Sequence, residues 1–418
     1  MSQVQHPKYI EVNGRKYQWP QRPTVIICFD GCDPAYIKAS SRKGHIPTLD
    51  RMIREGFYDI ADAVMPTFTN PNNISIVCGA PPSVHGVAGN YYLDRETRQE
   101  IMMLDARLMR SSTILAEFSQ AGAAVAVVTA KDKLRKALSY GMRGIAVSAQ
   151  YADRCTLAEN GIEDLTGLTG RGTPDQYSPD LSLFVLDAGI ILLETRPLDL
   201  LYLSLSDLVQ HKYAPDAEEA HDFMREVDRR VKRLLDLGAT VGIVADHGMN
   251  DLSREDGSPN VVYLGDELDS RYGYDATRVI CPITDPFVKH HGALGGFVRV
   301  HLLDDAPDPL DVRQTIQALP GIALTLTGEE AAARFELPLE SEADFVIIGA
   351  KGVAVGARQS DHDLSQLAGE RLRSHGSLAE QKVPFLISHP VNEDYQARAQ
   401  QTGLRNFDIF EYALNGVR

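Results

Sequence analysis

The chain has 418 residues, 44% of them apolar and 24% charged, which suits a soluble globular protein with a main domain and an inserted one. Its formal net charge of −15 repels a phosphate backbone, so nucleic acid is excluded as a general partner. No run approaches the ~18 apolar residues of a membrane span, and the five cysteines contain no CxxC pair and set no even disulfide framework.

In chain order, the opening MSQVQHPKYIEVNGRKYQWP lacks the apolar core of a secretory signal, and the expected location is the cytoplasm. Short β-rich runs then alternate with segments of helical period, the pattern of an α/β fold with a mostly parallel sheet. The predicted strands are 25–29, 124–128, 200–205, 240–245 and 383–387. Predicted helices include IPTLDRMIREG with Gly56 as its C′ residue, STILAEFSQAG up to Gly122, 179–195, and DAEEAHDFMREVDRRVKRLLDLG. The last carries Phe223, Val227, Val231, Leu234 and Leu235 on one face. Residues 257–365 change character to a smaller α+β unit lying between two groups of polar motifs. The reading is therefore a core of 21–256 and 366–418 with 257–365 inserted as a cap.

Open α/β sheets bind ligands just past the carboxyl ends of their strands, and polar residues collect there. VIICFDG ends in Asp30, which is either a metal ligand or a turn aspartate. MPTFTNPNN places Thr69 where a helix opens, so its hydroxyl is either a nucleophile or a helix cap, with Thr67 as the rival hydroxyl. SDLVQH sets Asp207 and His211 four apart, on one face of a helical turn. ATVGIVADHGMN delivers Asp246 and His247 from an apolar strand, and RSHGSLAEQKVPFLI puts His375 in a polar loop before the last strand. Three aspartates and three histidines so placed match two metal sites of N and O ligands flanking an in-line displacement. In VVTAKDKLRK, Lys131 and Lys133 point one way if the segment is extended, and they are either carboxylate-binding groups or a solvated helix start. His85 reads as structural, His290 and His291 as surface or gating residues of the cap, and Tyr91 and Tyr92 as pocket wall.

The ordered set DG, TNPNN, GN, D-x-x-x-H, ADHG and HGS resembles the alkaline phosphatase superfamily, in its nucleotide pyrophosphatase/phosphodiesterase branch, over about residues 25–390. Within that branch the chain resembles the phosphonoacetate hydrolases, which cleave a carbon–phosphorus bond. The resemblance implies an alkaline-phosphatase-like core and two Zn2+ per chain. One zinc would be held by Asp207, His211 and His375, the other by Asp30, Asp246, His247 and the Thr69 oxygen. It further implies a phospho-threonine intermediate on Thr69, Asn90 on a phosphoryl oxygen, and Lys131 and Lys133 on the substrate carboxylate. The phosphodiesterases carry an aromatic after the nucleophile, where this chain has Asn70, so the ring that grips a nucleobase is missing. The expected partners are a small anionic phosphonate and, for an acidic chain of this size, a second copy in a homodimer. Alternatives are a phosphodiesterase or phosphate monoester hydrolase on the same metals, a metal-dependent mutase, and a binding protein with a degenerate site.

Overall fold

The computed structural model describes residues 6–94, 96–103, 108–284, 291–303, 307–367 and 369–418. We number the strands of its two larger sheets β1 (Thr24–Cys28), β2 (Phe57–Asp62), β3 (Val125–Thr129), β4 (Ile145–Ser148), β5 (Leu200–Ser204), β6 (Thr240–Val244), β7 (Thr277–Ile280), β8 (Phe297–Leu302), β9 (Ile322–Thr327), β10 (Phe345–Gly349), β11 (Lys382–Ile387) and β12 (Leu404–Arg405).

Among the described residues, eight strands form the central sheet in the order β12-β2-β11-β6-β1-β5-β3-β4. Every residue of β1, β3, β5 and β6 is buried, because helices cover both faces, and this is why these strands read as unbroken apolar runs. Neighbours in the β6-β1-β5-β3-β4 portion run parallel. β11 alone among the eight is antiparallel to both its partners, β6 and β2. That reversal decides the site, since the residues leading into β11 arrive at the edge where the parallel strands end.

The long helix Glu218–Asp236 buries Phe223, Val227, Val231 and Leu234, with Leu235 on the flank. It also caps its neighbour. Helix Pro47–Glu55 starts after Ile46, which has no capping side chain, and Asp228 accepts the Thr48 and Leu49 N–H groups at 3.2 and 2.8 Å instead. Gly56 closes that helix without the left-handed turn expected of it, at φ −97°. Glycine is required there by close approach, since a Cβ would sit 2.2 Å from the Ile387 carbonyl oxygen.

Within residues 257–365, β7, β8, β10 and β9 form a four-stranded antiparallel sheet. Its apolar face packs with helices Leu264–Tyr272, Pro309–Gln317 and Gly328–Phe335 into a second buried cluster. Met65 and Phe68, on the loop before Thr69, belong to this second cluster, so the candidate nucleophile stands where the two cores meet. The cysteines among the described residues are all free, with Cys28 fully buried in β1. No described helix is long and apolar enough to cross a membrane.

Candidate metal centre and active site

Four strand ends deliver the acids and imidazoles to one place. Asp30 follows β1 by two residues, and Asp246 and His247 leave β6 after Ala245. Asp207 stands at the head of helix Leu208–Lys212, beyond β5, and His211 lies one turn further on. His375 precedes β11, whose reversed direction carries it to the same edge. All six are buried. His211 Nε2 lies 2.8 Å and His375 Nε2 3.9 Å from Asp207 Oδ2. His247 Nε2 lies 3.3 Å from Asp30 Oδ1 and 3.8 Å from Asp246 Oδ2. The His247 and His375 rings stack at 3.6 Å. Two sets have donor atoms within 4.8 Å of one another: Asp207, His211 and His375, and Asp30, Asp207 and His247. Asp207, expected to serve one site only, is thus a carboxylate that adjoins both clusters.

Three observations fit this pocket to divalent cations. Each histidine donates its Nδ1–H to a backbone carbonyl: His211 to Arg373 at 2.7 Å, His247 to Gly248 at 2.9 Å and His375 to Thr67 at 2.7 Å. That bond fixes the ring and turns Nε2 toward the carboxylates, as metal-ligating histidines require. Asp30 Oδ1 is buried without a hydrogen-bond partner. Finally, burial, together with the charges of Asp207 and Asp246, holds the Asp30 carboxyl well above the usual range. Burial in the same way pushes Asp246 up to about 7, and it drives His375 well down. Two acids pushed up beside a neutral imidazole describe a dry cluster whose carboxylates a divalent cation would return to the ionised form.

Thr69 is the first residue of helix Thr69–Cys78, and the N-cap is Phe68, so the hydroxyl does not serve as the cap. It points at His247 Nε2, 3.3 Å away. The rival Thr67 is fully buried and braces the wall: its hydroxyl donates to the Ser377 carbonyl at 2.9 Å, and its own carbonyl receives His375.

Two positioning residues escape sequence reasoning. Asn73 Nδ2 donates to the Thr69 carbonyl and to Asp246 Oδ2, both at 3.1 Å, while its Oδ1 accepts from Tyr202 Oη at 2.9 Å and Ser204 Oγ at 3.0 Å. Both amide hydrogens and both lone pairs are thereby used. Asn72 likewise ties the loop before Thr69, accepting from Val64 N–H at 2.8 Å and donating to Phe68 O at 3.0 Å. The available signal is a pair of asparagines inside an otherwise largely apolar helix, a place tolerated only when such groups are fully bonded. Asn73→Ala is expected to lower kcat by about 10–100-fold and to weaken metal binding by a similar factor, read by steady-state kinetics and metal titration.

The cleft in front of these groups is lined by Thr69, Asn70, Asn90, Lys131, Lys133 and His291, with Leu205, Leu134 and Ile283 as apolar wall. Lys131 is extended, at φ −107° and ψ 135°, but Lys133 lies in the first turn of helix Asp132–Leu138. The two lysines therefore reach the cleft around a helix start and not along an extended run as predicted. Lys131 Nζ is 3.8 Å from Asp207 Oδ1. Asn90 is held by residues 282–283, its N–H donating to Pro282 O at 2.8 Å and its Nδ2 to Ile283 O at 3.2 Å. Two residues before it, the Ala88 carbonyl accepts from Arg299 at 3.2 Å, and the guanidinium is paired with buried Glu342.

His85 is structural, as expected, with Nδ1 accepting from Val87 N–H at 3.2 Å and Nε2 meeting Ser75 Oγ at 2.8 Å. Two expectations need correction. Of the surface and gating readings of His291, the surface one fails, since the residue is 3% exposed and lines the cleft. Tyr91 and Tyr92 are absent from the cleft wall; they sit in the ribbon Tyr91–Leu93 paired with Glu100–Met102, and Tyr91 faces a separate groove beside Arg278 and Arg358. His290 lies outside the described residues.

Residues 24–291 match the family described as type I phosphodiesterase / nucleotide pyrophosphatase. The crystal structure of phosphonoacetate hydrolase from Sinorhizobium meliloti 1021 in complex with phosphonoformate superposes with a TM-score of 0.94 at 44% identity, over 99% of this chain and 100% of that one. The same hydrolase in complex with phosphonoacetate gives 0.92 at 42% identity, with the same coverage. Murine ectonucleotide pyrophosphatase / phosphodiesterase 5, in an inactive form with AMP, shares the fold at a TM-score of 0.63 and 16% identity, over 95% of this chain and 96% of that one.

Proposed function

The chain belongs to the type I phosphodiesterase / nucleotide pyrophosphatase family, and from that premise we propose that it is a metal-dependent phosphonoacetate hydrolase acting through Thr69. The observation that carries this reading is the cleft itself, where the threonine hydroxyl, the acid–imidazole clusters and two lysines line one small space. A hydrolase 42% identical over its whole length binds phosphonoacetate, and this supports the substrate.

In this reading one cation is held by Asp207, His211 and His375 and the other by Asp30, Asp246, His247 and Thr69, and both are zinc. When bound, the pair supplies the positive charge that acidifies a hydroxyl and offsets charge on phosphoryl oxygens. Thr69 Oγ1 gives its proton to bulk water and attacks phosphorus in line. An O–P bond forms, the C–P bond breaks, and the electron pair leaves with the acetate carbon. Carbon leaves poorly unless the pair spreads into the adjacent carboxylate with enolate character, and Lys131 and Lys133 neutralise that carboxylate. A proton from water then gives acetate. A second water attacks the phospho-threonine from the opposite side, releasing phosphate and returning the proton to Thr69. Asn90 binds a phosphoryl oxygen throughout, held there by residues 282–283 of the inserted cap.

Zinc-loaded protein is expected to release phosphate and acetate from phosphonoacetate in equal amounts, with kcat/KM at least about 100-fold above that for p-nitrophenyl phosphate or its diesters, a gap of ~2.7 kcal/mol in transition-state binding. The reverse order of preference would make the chain an esterase on the same scaffold. The reading also takes the enzyme as cytoplasmic and homodimeric, the latter measurable by light scattering.

A further inference from the structure

Neither acid–imidazole cluster contains His291, and no step above uses it. It comes from the inserted sequence and not from a strand end, yet it lies inside the cleft beside Lys131, Lys133 and Asn90. Its ring centroid is 5.4 Å from that of His211, at 31°. The turn that follows is constrained to put it there. Gly292 and Ala293 are consecutive left-handed residues, at φ +56° and +57°, and the second has a Cβ that disfavours this conformation. The turn is held by the Gly292 carbonyl accepting from His362 Nδ1 at 2.8 Å and by Leu294 N–H donating to the His291 carbonyl at 2.9 Å. A Cβ on Gly292 would fall 2.6 Å from Leu364 Cδ2, so the chain closes tightly just behind the histidine.

In either tautomer the His291 imidazole has an N–H to give, and the ring lines the cleft beside both lysines. A carboxylate offers about four lone-pair sites, so one held by two ammonium groups, each using one N–H, still has room for a further donor. Resting on the phosphonoacetate reading, we propose that His291 donates a hydrogen bond to the substrate carboxylate and thereby sets selectivity for carboxylated phosphonates over phosphate. The lysines supply charge. The imidazole supplies a directional donor from the inserted sequence, so residues outside the strand ends also read the group that distinguishes this substrate.

The test is calorimetric binding of phosphonoformate and of inorganic phosphate to zinc-loaded protein, with zinc per chain measured alongside. His291→Phe keeps a ring and removes the N–H. It is expected to weaken phosphonoformate about tenfold and leave phosphate within about twofold, at unchanged zinc content. His291→Gln, which restores a donor, should recover most of the loss, and His291→Leu replaces the Phe variant if that does not fold. Equal weakening of both anions, or loss of zinc, would overturn the proposal and leave His291 a packing or ligand-supporting residue. A wild-type protein that fails to cleave phosphonoacetate defeats the function reading alone, because the binding comparison still decides His291.

Discussion

Thr69→Ala is expected to abolish phosphate release from phosphonoacetate, by at least about 10³-fold in kcat, while zinc content and fold persist. The structural grounds are specific. Thr69 is not the N-cap of its helix, so the substitution removes no capping bond. The hydroxyl's hydrogen bond is to His247 Nε2, a group that the cation would engage in any case. The acids and imidazoles of both clusters stay in place, so metal analysis should read as in the wild type. Thr69→Ser keeps the oxygen and should retain measurable turnover. Thr67→Val is the control, since that hydroxyl donates to the Ser377 carbonyl in a fully buried position. Losing it should cost about 1 kcal/mol of stability and spare the chemistry. If Thr69→Ala kept its turnover with zinc bound, a free water would be the nucleophile and the phospho-threonine would not exist.

Asp30, Asp207, Asp246 and His247 are legible in the sequence because each follows an apolar run by one to a few positions, as Asp30 does β1 and Asp246 does β6. Strand ends are local signals. The central-sheet strands not predicted are β2, whose residues are mostly half-buried and include Asp59 and Asp62, β12, only two residues long, and β4, an apolar edge strand of only four residues. The reversal of β11 has no local signature either, although it is what lets His375 join residues from parallel strands. Asn73 is silent because its partners, Tyr202, Ser204 and Asp246, are distant in sequence and meet it only when β5 and β6 pack beneath the helix. His291 misleads for the same reason. A histidine in a polar segment looks exposed, and nothing within a few residues of His291 announces its place in the cleft lining. The two-lysine signal is right in place and wrong in shape, since Lys133 projects from a helix.

Asp207→Asn is expected to produce the larger metal defect of any single ligand change, because this carboxylate adjoins both clusters. Its Oδ2 is 2.8 Å from His211 Nε2 and 3.9 Å from His375 Nε2, and a carboxylate oxygen of Asp207 also lies within 4.8 Å of the Asp30 and His247 donors. Asparagine keeps the volume and removes the negative charge, so both sites lose attraction for a cation. Zinc should fall below one per chain, and phosphate release by at least about 10³-fold. His211→Asn, confined to one cluster, should keep about one zinc. Stability supplies a second reading with an inverted sign. With zinc bound, the wild type should be the more stable, since saturating metal at a thousandfold its Kd contributes about 4 kcal/mol. After chelation the order should reverse, because the Asp207 charge is among the influences that raise the Asp30 and Asp246 carboxyls in a buried space. Removing one of three crowded acids relieves the metal-free protein by about 1–3 kcal/mol. Thermal denaturation of both proteins, with zinc and with chelator, gives four melting temperatures. A crossing of the two orders is the signature of a charge that only a cation justifies, whereas an Asn variant less stable in both states would make Asp207 an ordinary hydrogen-bonding residue.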